Sequence, residues 1–361
     1  MPFHRRGKLI IPTFNTNVPE KEKSEPTPAI EVVGLTKRYG RVKAIQDVSF
    51  RVESGQIVGF LGPNGAGKST TMRILCGLLP ATCGIARICG IPVASHSNET
   101  KRRIGYMPEH NPLPEDMRVV EYLRYRARLK EVPMRKVRAA VDEAMEICDL
   151  QRKARRRVIG SLSKGYRQRV GIADSILAEP DVIVMDEPTI GLDPHQILGI
   201  RNLIDNLRGR MTVILSSHIL PEIEKSCDRV IIINQGRVVA NGSPKNLRKE
   251  FLPKTTYRIR VNLTQSSAQK VLRGIDPDLT FASSEEREDG FWEHRLQAPS
   301  ELILTEPILE ALQKSDTRIR EIARLQPNLE DIFMAATRRS WDETVAPFKG
   351  HTRPGVPMPK H

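Results

Sequence analysis

The sequence predicts an α/β fold: a mostly parallel core sheet carrying a phosphate-binding loop, with an antiparallel β-subdomain, an inserted helical subdomain and a small C-terminal α+β domain. Three observations predict it. Residues 57–75 read strand, glycine-rich loop and helix in immediate succession. Residues 181–187, DVIVMDE, form an apolar strand that ends in two carboxylates. From 195 to 234, helical and strand patterns alternate, which is how a parallel sheet is built.

Residues 1–28 mix Pro, Lys, Glu, Thr and Ser without periodicity and are expected to be a disordered tail. Ile30–Val32 and Ile45–Val52 alternate apolar and polar residues, as antiparallel strands flanking the core do, with Tyr39 on the turn between them. Ile57–Leu61 is a buried strand. After it, residues 62–69, GPNGAGKS, fit G-x-x-x-x-G-K-[ST]. Glycines let successive backbone N–H groups turn inward, and the following helix N-terminus adds partial positive charge. Anionic oxygens are favoured there. In such a loop Lys68 reaches the β- and γ-phosphates, and the Ser69 hydroxyl ligates Mg²⁺.

Short strands follow at 85–89 and 104–106. The period then changes. Val119, Leu123 and Ala127 share one helical face, and Val137, Ala140, Val141 and Ala144 share another, predicting a helical block from about 113 to 160. Residues 161–178 begin as loop and become helix. The strand at 182–185 delivers Asp186 at its C-terminal end, a position that suits reaching Mg²⁺ through one of its bound waters. Glu187, expected to point elsewhere, is a candidate general base for an attacking water. Helix 195–208, strand 211–215, helix 219–226 and strand 229–234 complete the pattern. Beyond Pro253, strands at 257–261, 291–296 and 318–322 combine with helices at 266–273, 305–314 (Thr305 as N-cap) and 328–337 (Asn328 as N-cap). Residues 255–337 thus form a small α+β domain, and 341–361 a second disordered tail.

No apolar run approaches the roughly 18 residues needed to span a bilayer. The run Leu9–Ile11 ends at Pro12, too short for a signal peptide, so a cytoplasmic location is expected. Five cysteines, without a C-x-x-C pair, read as free thiols. The formal charge is +14, and residues 100–170 hold nineteen Lys/Arg against nine Asp/Glu. Such a basic face suits nucleic acid or an anionic membrane surface, and charge alone leaves both open.

Three further motifs narrow the reading: Leu162-Ser163-Lys164-Gly165-Tyr166, Gly191-Leu192-Asp193-Pro194 and Ser216-Ser217-His218. With them the chain resembles the ATP-binding subunits of ABC transporters across roughly residues 29–250, and the ATP-binding domain is set at 29–252. The resemblance implies that Gly62, Pro63, Asn64, Gly65, Ala66, Gly67, Lys68, Ser69 and Thr70 form the Walker A loop. Residues 182–187 then form Walker B, with Glu187 catalytic. Ser163 and Gly165 belong to the signature motif, Asp193 to the D-loop, and His218 is the switch histidine, also catalytic. Tyr39 is placed to stack on adenine. ATP and Mg²⁺ are the implied ligands, with Ser69, Asp186 and Glu109 around the metal.

Two departures stand out: Glu109 where the family usually has glutamine, and Lys164 and Tyr166 in place of Gly and Gln. The stretch 104–113 and the closing Leu329–Phe333 look like the ABC-2-type export and gliding-motility-associated subgroup. The implied partners are a second copy, so that two ATP molecules are sandwiched, and an integral membrane permease that holds the chain on the inner membrane face. The alternative is a soluble ABC ATPase acting on nucleic acid or ribosomes. Ribosome-associated relatives carry two cassettes per chain and DNA-repair relatives insert long coiled coils. This chain has one cassette and no room for a coiled coil between Lys68 and Asp186, which argues against nucleic acid. A GTPase would carry an Asn-Lys-x-Asp guanine reader, and the sequence has none.

Overall fold

The computed structural model describes residues 27–345 apart from 218 and 316, with side chains up to 338. His218, expected from the resemblance to be a switch histidine, lies outside the described residues, as do the expected tails up to 26 and from 346.

Two long strands open the chain, β1 (Ile30–Tyr39) and β2 (Val42–Val52). They pair antiparallel from Ile30 opposite Val52 to Tyr39 opposite Val42. Next come β3 (Ile57–Leu61) and α1 (Lys68–Leu75). The antiparallel layer is completed by β4 (Cys83–Ile88) and the two-residue β5 (Ile91–Pro92), giving the order β2-β1-β4-β5. After α2 (Ser97–Arg102) and β6 (Ile104–Met107) come α3 (Val119–Leu129) and α4 (Val137–Ile147), the expected helical block. A 3₁₀ turn at Ile159–Ser161 leads into α5 (Lys164–Ile176). The chain continues through β7 (Val182–Met185), α6 (Pro194–Asn206), β8 (Thr212–Ser217) and α7 (Leu220–Ser226). It then forms β9 (Arg229–Asn234), β10 (Arg237–Gly242) and α8 (Pro244–Phe251).

These strands form a six-stranded sheet ordered β10-β9-β3-β8-β7-β6. All its pairs are parallel except β10 on β9. Its inner strands are buried along almost their whole length because both faces are covered. On one face, Val119, Leu123, Val141 and Met145 of the helical block join Ile172, Ile183 and Ile204 in one core. On the other, Ile30, Val48, Met72 and Leu75 pack on Val58, Phe60 and Ile231. The active elements follow from this order. β3 is flanked by β8 and β9, and β7 pairs with β8, so the residues after β3, β7 and β8 emerge together at one sheet edge.

The last part comprises β11 (Lys254–Val261), α9 (Gln265–Leu272), β12 (Thr280–Glu286), β13 (Trp292–Pro299), α10 (Thr305–Lys314), β14 (Ile319–Leu325) and α11 (Leu329–Val345). Its sheet, ordered β12-β13-β11-β14, is antiparallel throughout. The βαββαβ sequence with this order is a ferredoxin-like unit. Tyr257, Ile259 and Val261 alternate inward onto Leu272, Ile308 and Leu312. β12 was absent from the expectation because TFASSEE is almost wholly exposed and carries no apolar rhythm.

Three expectations are corrected. Leu304, not Thr305, is the N-cap of α10. Helix α11 runs to Val345, past the expected end at 337 and into the expected tail at 341–345. Its apolar face also packs elsewhere: Leu329, Ile332 and Ala336 are buried in the parallel-sheet core, not in the appendage with which 255–337 grouped them. Asn328 does cap α11, accepting from the Asp331 N–H at 2.9 Å while its own N–H donates to Asp331 at 3.0 Å. Among the described residues no helix is long and apolar enough to cross a membrane.

Candidate nucleotide site

The loop between β3 and α1 is pressed between neighbouring strands. A Cβ on Gly62 would lie 2.4 Å from the Ile233 carbonyl oxygen of β9, and one on Gly67, at φ 105°, would lie 2.5 Å from the Ile45 side chain of β2. Only glycine allows this approach. The Ala66 N–H donates to the Pro63 carbonyl at 3.1 Å, and the Ala66 carbonyl accepts from the Gly236 N–H at 3.0 Å. The loop is therefore fixed before any ligand arrives. In front of it lies a cavity of about 550 Å³, lined by Pro63, Asn64, Gly65, Gly67, Lys68, Ser69 and Thr70 together with Glu109 and Glu187. Ala44 and Ile190 also line it; as single apolar residues they offered no sequence signal.

Lys68 is only 6% exposed. Its ammonium donates to the Gly62 carbonyl at 2.8 Å and lies 3.6 Å from Glu187 Oε1. Behind the cavity wall, the Asp186 carboxylate accepts from the Ser216 hydroxyl at 2.6 Å, and the same hydroxyl oxygen accepts from the Glu187 N–H at 2.9 Å. Glu187 has φ 51°. That left-handed conformation costs a non-glycine residue on the order of 1–3 kcal/mol and persists only where its surroundings enforce it. It also decides where the side chain goes: the turn brings the Glu187 carboxylate to the cavity, while Asp186 sits buried behind. Burial, with the Asp186 charge nearby, pushes the Tyr106 phenol up to about 12, so that it stays protonated. Burial likewise raises the Cys76 thiol, with Asp186 adding to the effect.

The donor set suits Mg²⁺. Ser69 and Glu109 present oxygens on the wall, and Asp186 lies at the strand end. Among the described residues no group of three His, Cys, Asp or Glu could hold a metal unaided. Mg²⁺ sites of this kind take one or two protein oxygens and complete their shell with phosphate and water.

The remaining expected residues lie elsewhere. Tyr39 is outside the cavity lining; half exposed at the end of β1, it has the Lys37 ammonium 5.3 Å from its ring centre. Ser163 is the N-cap of α5, but its side chain makes no capping bond. With Gly165, Lys153 and His195 it lines a separate cavity of about 270 Å³. Asp193 caps α6, accepting from the Gln196 N–H at 2.9 Å, with Pro194 in the first turn. Lys164 reaches over the preceding loop, where a Cβ on Gly191 would lie 2.3 Å from its ammonium. One chain thus brings the phosphate loop and the acidic strand end together and holds the 163–165 segment at another cavity.

The family model for ABC transporters matches residues 45–190. The Nod factor export ATP-binding protein I of Ralstonia nicotianae is 38% identical over 61% of this chain and 69% of its own length. The daunorubicin/doxorubicin resistance ATP-binding protein DrrA of Streptomyces peucetius is 32% identical over 89% of this chain and 96% of its own. Among solved structures, cbiO1 from Clostridium perfringens, part of the ABC transporter complex cbiONQ, superposes with a TM-score of 0.57 at 27% identity, over 62% of this chain and 92% of that one. The chain belongs to the ABC transporter family, among its ATP-binding proteins.

Proposed function

We propose that this protein binds and hydrolyses ATP with Mg²⁺ and drives export through a separate membrane permease. The convergence of Lys68, Ser69, Glu109 and Glu187 on one cavity, with Asp186 behind it, carries this reading. Phosphate oxygens take the place of the Gly62 carbonyl and the Glu187 carboxylate as partners of Lys68. The loop N–H groups and the α1 N-terminus hold the same oxygens. Glu187, released from Lys68, accepts the proton of a water that attacks the γ-phosphorus as the bond to the β–γ bridging oxygen breaks. Ser69 and Asp186, with Glu109 alongside, would hold Mg²⁺, which would supply neutralisation of phosphate charge.

Because Ser163 and Gly165 lie at another cavity, the reading includes a second copy of the chain whose signature segment completes the site. His218 is assigned to the γ-phosphate by family resemblance. The names of the relatives, Nod factor export and drug resistance, support export as the direction. That cbiO1 is part of a transporter complex supports a permease on which the chain sits at the inner membrane face. Measuring Mg²⁺-dependent ATP hydrolysis tests the core of the proposal. Wild type should turn over ATP, and Lys68→Ala should lose nucleotide binding by at least about tenfold while keeping its fold. Equal affinity in the two proteins would overturn it.

A further inference from the structure

We infer that Ser216 is a positioning residue for both carboxylates of the site: one buried hydroxyl fixes Asp186 and also fixes the turn that aims Glu187. The inference rests on the ATP–Mg²⁺ reading of the cavity and gives a role to a residue that does not line it.

Register places Ser216 where it can do this. β7 and β8 run parallel with Met185 beside Leu215, so the next residue on each strand, Asp186 and Ser216, emerges at the same level. Ser216 is fully buried. A serine hydroxyl has one proton to donate and two lone pairs. The Glu187 N–H occupies a lone pair at 2.9 Å, and the proton goes to Asp186 Oδ1 at 2.6 Å. The second distance is that of a charge-assisted O–H···O⁻ bond. The direction of both bonds is therefore set: the carboxylate can only accept and the amide can only donate.

The first bond holds the Asp186 carboxylate in one orientation. The second concerns Glu187, whose backbone is left-handed at φ 51°. Its N–H would lose this acceptor if residue 216 carried no side-chain hydroxyl, and buried backbone donors rarely go unpaired. The hydrogen bond thus supports the conformation that carries the Glu187 side chain to the cavity. The neighbouring Ser217 does not duplicate this role, since its hydroxyl accepts from the Ile219 N–H at 2.9 Å.

Binding of a fluorescent ATP analogue to purified full-length protein, titrated with Mg²⁺, tests the assignment. Loss of a partner that orients a metal ligand typically costs 10–100-fold in metal affinity or activity. Ser216→Ala should therefore raise the half-saturating Mg²⁺ concentration by about 10–100-fold. Its nucleotide affinity without Mg²⁺ should stay within about twofold of wild type, and kcat should fall more than KM changes. Ser216→Thr, which keeps the hydroxyl, should restore the Mg²⁺ response. Superimposable Mg²⁺ curves for the alanine variant and wild type would overturn the inference, as would a threonine variant that melts like wild type yet titrates like alanine. A measurement on unmutated protein gives an independent check. The Glu187 amide should be strongly protected from hydrogen exchange without nucleotide, and exchange at the rate of an open loop would overturn the assignment however the variants fold. Wild type that shows no Mg²⁺-dependent nucleotide binding would instead overturn the ATP reading, and this inference with it.

Discussion

Glu187→Gln is the most informative single change, because the Lys68–Glu187 pair makes two predictions of opposite sign. The two charges are 3.6 Å apart and their side chains are each 7% exposed. With an effective dielectric constant of about 20, that separation corresponds to roughly 4.6 kcal/mol of gross attraction. Desolvation offsets most of such a gain. If a quarter of it survives, about 1.1 kcal/mol must be surrendered before Lys68 can engage a phosphate, which is roughly a sevenfold effect on affinity. Glutamine keeps the shape and removes the charge, so ATP should bind roughly 5–10-fold more tightly. Hydrolysis should fall by about 10²–10⁴-fold with loss of the base. Equilibrium binding of a fluorescent analogue and single-turnover hydrolysis read the two effects separately. Turnover within a factor of two of wild type would remove Glu187 from the chemistry. Unchanged affinity would show that its pairing with Lys68 does not compete with nucleotide.

Three more outcomes are expected. Glu109→Gln should stay folded, bind Mg²⁺ more weakly and hydrolyse ATP at least as fast as wild type, since it removes one of several like charges around the site; superimposable Mg²⁺ titrations would place Glu109 outside the metal shell. Glu187→Gln with ATP should shift the protein from monomer to dimer by light scattering, and a monomer at micromolar concentration would count against the two-copy site. His294 is fully buried, hydrogen-bonded to Ser284 and the Leu263 carbonyl at 2.9 Å each, and desolvation lowers its pKa against the opposing effect of the carbonyl. The unfolded chain then takes up the proton first as pH falls, so stability is full above about pH 6.5 and declines below it. Melting temperatures across that range should fall less steeply for His294→Asn, and parallel profiles would dismiss the effect.

The lining of the candidate site was legible wherever it depends on local sequence. The loop at 62–70 and the strand end at 182–187 each carry their pattern within ten residues, and the sheet order then brings them together. What sequence could not show is what depends on a backbone angle or on register. Strand alternation alone sends Glu187 away from the site, and only its left-handed turn brings it in. Ser216 reads as one of two serines closing a mostly apolar strand, and its meaning arises from the level of β8 beside β7. The basic excess at 100–170 was legible as charge, but not as structure. Arg126 and Lys130 are drawn onto Asp174 of α5 and Arg155 onto Asp142, so part of that charge ties the helical block to α5 and braces it internally.

The same distinction explains the C-terminal helix. Its periodicity shows an apolar face at Leu329, Ile332 and Ala336 but not which surface receives it. In the structure that face joins the parallel-sheet core, beside α7 and α8. Burying each such aliphatic side chain contributes about 1.5–3 kcal/mol. The contact is fastened at its start: Glu224 of α7 accepts from the Leu329 N–H at 3.2 Å and pairs with Arg248 of α8 at 2.6 Å. The ferredoxin-like unit is therefore anchored at both ends, through Pro253 after α8 and through α11 on α7. A unit on one linker can swing freely, whereas one held at two points on a common core can only tilt about the line between them. Helix α7 begins at Leu220, just after the segment that carries His218. The same helix packs against α11, which continues the chain of the appendage through residues 326–328.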